Sequence, residues 1–249
     1  MVIAIIPARY DSSRFPGKPL AMIAGKPMIQ HVYERASQAT KLSQVYVATD
    51  DERIEHAVHD FGGDVIMTHP AHETGTDRVA AAAEEARADI IVNIQGDEPL
   101  IAPELIDATI EPLLSVQNIG VATPVKRITL LEEITNQNIV KVVIGDDWRA
   151  LYFSRAGIPF QRGIPPEQWL ENCLYWKHLG IYAYRRAALE RFASAEPTAY
   201  ERAEQLEQLR LLALGEYFYC VATEFESIAV DVPSDIARVE EALALSARS

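Results

Sequence analysis

Short runs of consecutive apolar residues alternate along the chain with stretches whose apolar positions recur every three to four residues. VIAIIP (Val2–Pro7) reads as a buried strand, and Met28, Ile29, Val32, Tyr33 and Ala36 fall on one face of a helix predicted over residues 27–39. A strand over 45–49, a helix over 52–61 stopped by Gly62-Gly63, a strand over 65–68, an alanine-rich helix over 76–88 and an apolar strand over 90–95 follow. This βαβαβαβ order predicts a parallel sheet covered by helices on both faces, with ligands at the carboxyl ends of its strands.

The pattern changes in the second half. Residues 140–144, a Gly145-Asp146-Asp147 turn and residues 150–153 predict a β-hairpin. Strands are expected over 178–184, 217–223 and 228–230, with helices over 200–214 and 233–244. Residues 158–175 carry three prolines, one tryptophan and little periodicity, so a long surface loop lining a site is expected there. The fold class is therefore α/β: a mixed, mainly parallel sheet with helices on both faces and a small β-rich lobe. The organisation expected is one domain over 1–249, whose pattern changes between a half over about 1–115 and a half over 116–249.

Charge narrows the possibilities. A formal net charge of -13 and a pI near 4.9 argue against a broad surface for nucleic acid or anionic membrane, so any anion site must be local. Cys173 and Cys220 have neither CxxC nor Cys/His spacing and read as reduced, structural thiols, which fits a cytoplasmic protein. Residues 2–6 are too short for a signal h-region, and no run of eighteen apolar residues occurs.

That local site is expected after the first strand, where Arg9, Arg14 and Lys18 are interleaved with Ser12, Ser13 and Gly17. Arginine forks, a lysine point charge and amides of a Gly/Ser-rich turn suit a polyphosphate, although a solvated cationic loop has the same composition. Proline after Lys18 rules out a Walker A loop, and there is no GxGxxG. The triplet GKP occurs twice: Pro16 and Pro19 bracket Gly17-Lys18, while Pro27 suits the first position of a helix, which gives Lys26 a structural or peripheral role. At the end of the fourth strand Gln95 and Asp97 flank Gly96. Asp97 is a Mg²⁺ ligand candidate, with Asp231 the best second carboxylate; either could instead serve a turn or cap. Asp235 reads as a residue complementing the helix dipole. The pairs His56/His59 and His69/His72 lack the support a zinc site needs, and no GxSxG elbow exists. His178 is placed at the start of a strand with Tyr182 and Tyr184 on its alternating face.

IIPARYDSSRFPGKPL, GTDR (75–78), NIQGDEPLI, ALYFSRAGIPF, KHLGIYAYR, EQLEQLRLL and VDVPSDI resemble, in order and spacing, the 3-deoxy-manno-octulosonate (Kdo) cytidylyltransferase family across essentially the whole chain. The first and third blocks would fit the wider group of sugar-activating nucleotidyltransferases; the later ones narrow it. The resemblance implies a Rossmann-like nucleotidyltransferase fold, with a nucleotide-binding half over about 1–115 and a sugar-binding and dimerisation half over 116–249, in a commonly homodimeric, Mg²⁺-dependent enzyme that transfers CMP from CTP to Kdo, releases pyrophosphate and serves lipopolysaccharide biosynthesis. It implies that Arg9, Ser13, Arg14 and Lys18 hold the triphosphate, with Lys18, Arg14 and Asp97 catalytic. By the same resemblance Thr76, Arg78 and Gln95 recognise the cytidine, Asp97 and Asp231 bind Mg²⁺, and Arg155, His178, Tyr182, Glu207 and Gln208 contact the sugar acid. One departure is Val232, where the family usually has threonine. A related acceptor, such as 8-amino-Kdo or a sialic acid, and a catalytically silent nucleotide-binding subunit remain open alternatives.

Overall fold

The computed structural model describes all residues except 12–14, 73, 227 and 247–249. Two compact units emerge: Met1–Asp107 with Glu226–Ser249, and Ala108–Phe225.

The first unit contains the strands β1 (Val2–Pro7), β2 (Met22–Ile23), β3 (Lys26–Pro27), β4 (Gln44–Thr49), β5 (Val65–Met67) and β6 (Ile90–Asn93). Its main sheet has the order β5-β4-β1-β6, and all of these neighbours are parallel. Such strands are covered on both faces and so read as unbroken apolar runs; Ile3 to Ile6 and Ile91 to Val92 are fully buried. The helices α1 (Met28–Ala36), α2 (Glu52–Asp60) and α3 (Gly75–Ala86) connect the strands. The start of α3 is fixed by a capping box, with the Thr74 hydroxyl accepting from Asp77 N–H and the Asp77 carboxylate from Thr74 N–H. The second GKP departs from the sequence expectation. Lys26 and Pro27 form β3, which pairs with β2, and Pro27 is the N-cap of α1 rather than its first helical residue.

A helix not expected from the sequence, α4 (Pro103–Ser115), carries the chain into the second unit. There β7 (Val121–Arg127) is central. It pairs antiparallel with β10 (Trp176–His178) and β11 (Tyr182–Arg185), and parallel with β12 (Phe218–Ala222). The hairpin of β8 (Lys141–Ile144) and β9 (Ala150–Ser154) extends the sheet through β10, and the short α5 (Leu131–Thr135) lies between β7 and β8 in sequence. The strand expected over 178–184 is two strands in one lane along β7, broken at Leu179–Ile181. Pro124 explains the break: its carbonyl accepts Leu179 N–H on that side, but proline has no N–H to return, so the ladder cannot continue.

Residues 158–175 are not a surface loop throughout. They include a 3-10 turn, Pro166–Gln168, and the short α6 (Trp169–Asn172). Trp169 and Tyr175 are buried, stack at 6.0 Å and form a core cluster with Ile128 and Ile134. Beyond α7 (Arg186–Ser194), the helix expected over 200–214 is also divided, into α8 (Ala199–Glu204) and α9 (Gln208–Ala213). Gln205, at φ 52°, turns the chain between them. A buried Arg210–Glu201 pair at 2.5 Å ties the two pieces together.

The chain returns to the first unit without the strand expected over 228–230; Ile228 to Val230 are irregular. It ends in α10 (Asp235–Ser246), whose Val239 packs with Ile23, Met28 and Val230.

Candidate functional site

At the carboxyl end of β1, the backbone turns through Arg9 and Tyr10 toward Gly17. Gly17 N–H donates to the Tyr10 carbonyl at 2.8 Å, and Gly17 has φ 72°, a left-handed conformation that glycine adopts without strain. A Cβ there would come within 3.2 Å of the Tyr10 ring. The Arg53 guanidinium lies over the same ring, 3.3 Å from its centroid. Ser13 and Arg14 lie outside the described residues. Arg9 donates to the His72 carbonyl.

Lys18 opens the short 3-10 turn Lys18–Leu20, and its Nζ donates to Asp97 Oδ2 at 2.6 Å and to the Val230 carbonyl at 3.1 Å. Both side chains of the ion pair are largely, but not fully, buried. Asp97 is reached two ways, since its carbonyl also accepts Val230 N–H at 2.9 Å. The structure thus brings the first GKP, the QGD turn after β6 and the backbone preceding Asp231 together. Gly96 makes the approach possible: a Cβ on it would sit 3.0 Å from the Pro7 carbonyl at the end of β1. Lys26, by contrast, pairs with Glu34 at 2.7 Å on an exposed surface.

Thr76 and Arg78 occupy the first turn of α3. Arg78 is fully buried; it donates to Thr68 Oγ1 at 2.5 Å and pairs with Asp50 Oδ1 at 3.1 Å. Burial lowers the proton affinity of its guanidinium, which Asp50 opposes and the nearby charge of Arg9 reinforces; arginine nevertheless stays charged. Asn93, at the end of β6, donates from Nδ2 to Thr76 Oγ1 at 3.4 Å. Arg78 Nε and Asn93 Oδ1 are, among the described residues, the buried side-chain polar atoms without a protein partner. Each such atom costs about 1–3 kcal/mol unless something completes it. Sequence reasoning missed Asp50 and Asn93. Asp50 carried a signal, because it directly follows β4 as Asp97 follows β6.

Among the described residues no group of three or more His, Cys, Asp or Glu side chains is arranged to hold a metal. Asp97 and Asp231 are two hard oxygen donors held near one another by the Val230–Asp97 backbone bond. That donor set fits Mg²⁺, which takes few carboxylates and completes its shell with water and phosphate oxygens. Asp235 is more than a dipole partner: its Oδ2 accepts the N–H groups of Asp231 and Val232 at 2.9 and 3.0 Å. Those two bonds hold its carboxyl below the usual range and shape the turn that Val232 cannot cap.

In the second unit, the five predicted sugar-binding residues fall in one neighbourhood. His178 ends β10, and Tyr182 starts β11 with their rings 5.2 Å apart; Tyr184 stacks on Tyr182 at 5.6 Å. Burial, then the charge of Glu207, raises the Tyr182 hydroxyl above its ordinary value, so it is neutral and Glu207 is close. Glu207 is the N-cap of α9 and Gln208 its first residue, not members of one long helix. Arg155 follows β9 and binds the α8–α9 turn, donating to the carbonyls of Glu204 at 2.7 Å and Gln205 at 3.3 Å, and also to Gln137 at 3.1 Å. Below it Lys141 is fully buried and gives its ammonium to the carbonyls of Asn136, Ile139 and Arg155 at 2.6–2.7 Å. Burial and then the Arg155 charge lower its pKa. The His178 ring packs edge-on against Phe153 at 5.2 Å and meets Thr123 Oγ1 at 2.9 Å from Nε2. Enclosure pushes its pKa down to about 3, so the imidazole is neutral at physiological pH.

A cytidylyltransferase family model matches residues 3–219. A 3-deoxy-manno-octulosonate cytidylyltransferase of Pelobacter propionicus is 51% identical over 96% of this chain and 96% of its own. The enzyme of the same name from Geobacter sulfurreducens is 50% identical over 97% and 99%. A solved structure described as CMP:2-keto-3-deoxy-manno-octonic acid synthetase complexed with CTP matches with a TM-score of 0.92 at 43% identity, covering 98% of this chain and 99% of that one. A cytidylyltransferase from Leptospira borgpetersenii shares the fold at a TM-score of 0.66 and 18% identity. With the strand-end cluster of Lys18 and Asp97 in place, these likenesses run through both units, and the chain belongs to the 3-deoxy-manno-octulosonate cytidylyltransferase family.

Proposed function

We propose that the protein transfers CMP from CTP to Kdo, giving CMP-Kdo and pyrophosphate for lipopolysaccharide biosynthesis in the cytoplasm, and that it works as a Mg²⁺-dependent homodimer. The observation that carries this reading is the 2.6 Å Lys18–Asp97 pair at the strand ends, in a chain 51% identical to a protein named for that reaction.

The first unit would hold CTP. Arg9 and Lys18 supply positive charge to the triphosphate, joined by Ser13 and Arg14 of the same loop, and Thr76, Arg78 and Gln95 meet the cytidine. Phosphate oxygens give Lys18 a partner besides Asp97, so its charge is present where negative charge builds on the departing pyrophosphate. Asp97 and Asp231 would hold Mg²⁺, which supplies charge neutralisation at the phosphate oxygens when bound. The second unit would hold the sugar acid. Three of the five Arg155 N–H groups are spent on carbonyls, leaving two for a carboxylate. Tyr182, Glu207 and Gln208 offer a hydroxyl, an acceptor and an amide to its hydroxyls. The anomeric hydroxyl attacks the α-phosphorus in line; no covalent enzyme intermediate is required, and positioning with charge stabilisation lowers the barrier.

The test is pyrophosphate release from CTP and Mg²⁺ with Kdo, 8-amino-Kdo and a sialic acid. Turnover is expected to be fastest with Kdo. A preference for another acid would replace the acceptor, and CTP binding without turnover across the panel would make the protein a silent nucleotide binder.

A further inference from the structure

Thr123 is fully buried in β7, opposite the break between β10 and β11. Its Oγ1 stands 2.8 Å from the Ile181 carbonyl, 3.3 Å from the Leu179 carbonyl and 2.9 Å from His178 Nε2. A threonine hydroxyl has one hydrogen, and carbonyl oxygens only accept. If that hydrogen pointed at His178, the Ile181 carbonyl would face a lone pair at 2.8 Å in a buried place. The hydrogen therefore goes to Ile181, and the contact to the ring exists only if His178 Nε2 carries a hydrogen and donates it. Neutrality of the ring then leaves Nδ1 with a bare lone pair. Among the described residues the buried partnerless polar atoms are Arg78 Nε and Asn93 Oδ1, so Nδ1, which has no protein partner either, is reachable from solvent.

Resting on the sugar-site reading above, we infer that Thr123 is a positioning residue that fixes His178 as the Nε2–H tautomer, so that His178 Nδ1 accepts a hydrogen bond from a hydroxyl of the acceptor sugar. His178 then reads a donor and does not bind the sugar's carboxylate, which falls to Arg155. Two aromatic neighbours confine the ring, Phe153 at 5.2 Å and 78° and Tyr182 at 5.2 Å and 41°.

The experiment is a two-bond ¹H–¹⁵N correlation spectrum of the histidine rings of the full chain at neutral pH, with His178→Gln used for assignment. The expected result is a neutral Nε2–H ring for His178; an Nδ1–H ring or an imidazolium overturns the inference without requiring any other variant to fold. Thr123→Val should then lose the fixed tautomer and raise KM for the sugar acid about tenfold, the size of one hydrogen bond, with KM for CTP unchanged. Thr123→Ser, which keeps the hydroxyl, should restore both. A Thr123→Val protein that keeps the Nε2–H signature and its KM contradicts the positioning role. If no sugar acid is turned over while the wild-type ring shows Nε2–H and Thr123→Val abolishes it, the sugar reading fails and the tautomer assignment stands.

Discussion

The candidate site of the first unit and the His178–Tyr182 corner of the second treat polar groups by opposite means. In the first, ionised groups meet one another at the ends of parallel strands: Lys18 with Asp97, Arg78 with Asp50, and Arg9 close enough to shift Arg78. In the second, the groups beside β7 are held neutral by enclosure, His178 below its ordinary pKa and Tyr182 above its own. A polyphosphate needs compensating charge, and a sugar bearing many hydroxyls needs donors and acceptors fixed in direction. The difference teaches that the proposed triphosphate site keeps its buried groups charged and paired, whereas the His178–Tyr182 corner of the proposed sugar site keeps its buried groups neutral.

The comparison breaks most visibly if the charged pair is dispensable. Asp97→Asn and Lys18→Ala should each lower kcat by about 10²–10³-fold, the effect of removing a preorganised charge contact, with the far-ultraviolet spectrum unchanged. Steady-state pyrophosphate release measures this, and near-normal turnover in either variant would remove the charge-based account. His178→Leu should act differently, raising KM for the sugar acid about tenfold and leaving kcat within a few-fold.

Neutrality also has a pH signature. His178 has a depressed folded pKa, so the unfolded chain binds its proton more readily; the stability due to this group is complete above about 6.5 and declines as pH falls toward 3. Between pH 7 and pH 5.5 the loss from this one residue should be about 1 kcal/mol. Urea midpoints at the two pH values in wild type and His178→Leu would show it as a smaller pH dependence in the variant; equal dependence would mean that His178 is not held neutral. The smallest effect is expected at the second GKP. Lys26→Ala removes an exposed pair with Glu34, for which about 0.5 kcal/mol or less is expected, and should leave kcat/KM for CTP unchanged.

How much of this was legible follows the same division. Strands buried on both faces appear in the sequence as unbroken apolar runs, so VIAIIP and IIVN could be placed, and with them the strand-end positions of Arg9, Lys18, Gln95 and Asp97. The central strand β7 was not legible, because Pro124, Lys126 and Arg127 interrupt its apolar pattern. With β7 hidden, Thr123 had no reason to attract notice, and the break at Leu179–Ile181 could not be anticipated. The α8–α9 division was hidden too, since glutamine gives no sequence sign that residue 205 turns left-handed. Trp169 and Tyr175 lacked helical period yet form a core, because an aperiodic segment can still bury aromatic rings. The sugar-binding set was assembled from resemblance; the fold then showed Tyr182 beside His178 and Glu207, and Arg155 bonded to the turn before Gln208.

The most direct test of the division is a crossed binding measurement: titration calorimetry of CTP with Mg²⁺, and of Kdo, into wild type, Lys18→Ala and His178→Leu. CTP affinity should fall in Lys18→Ala and remain at the wild-type value in His178→Leu, while Kdo affinity should show the reverse. Loss of CTP affinity in His178→Leu as large as that in Lys18→Ala would contradict the assignment of the two ligands to differently built units.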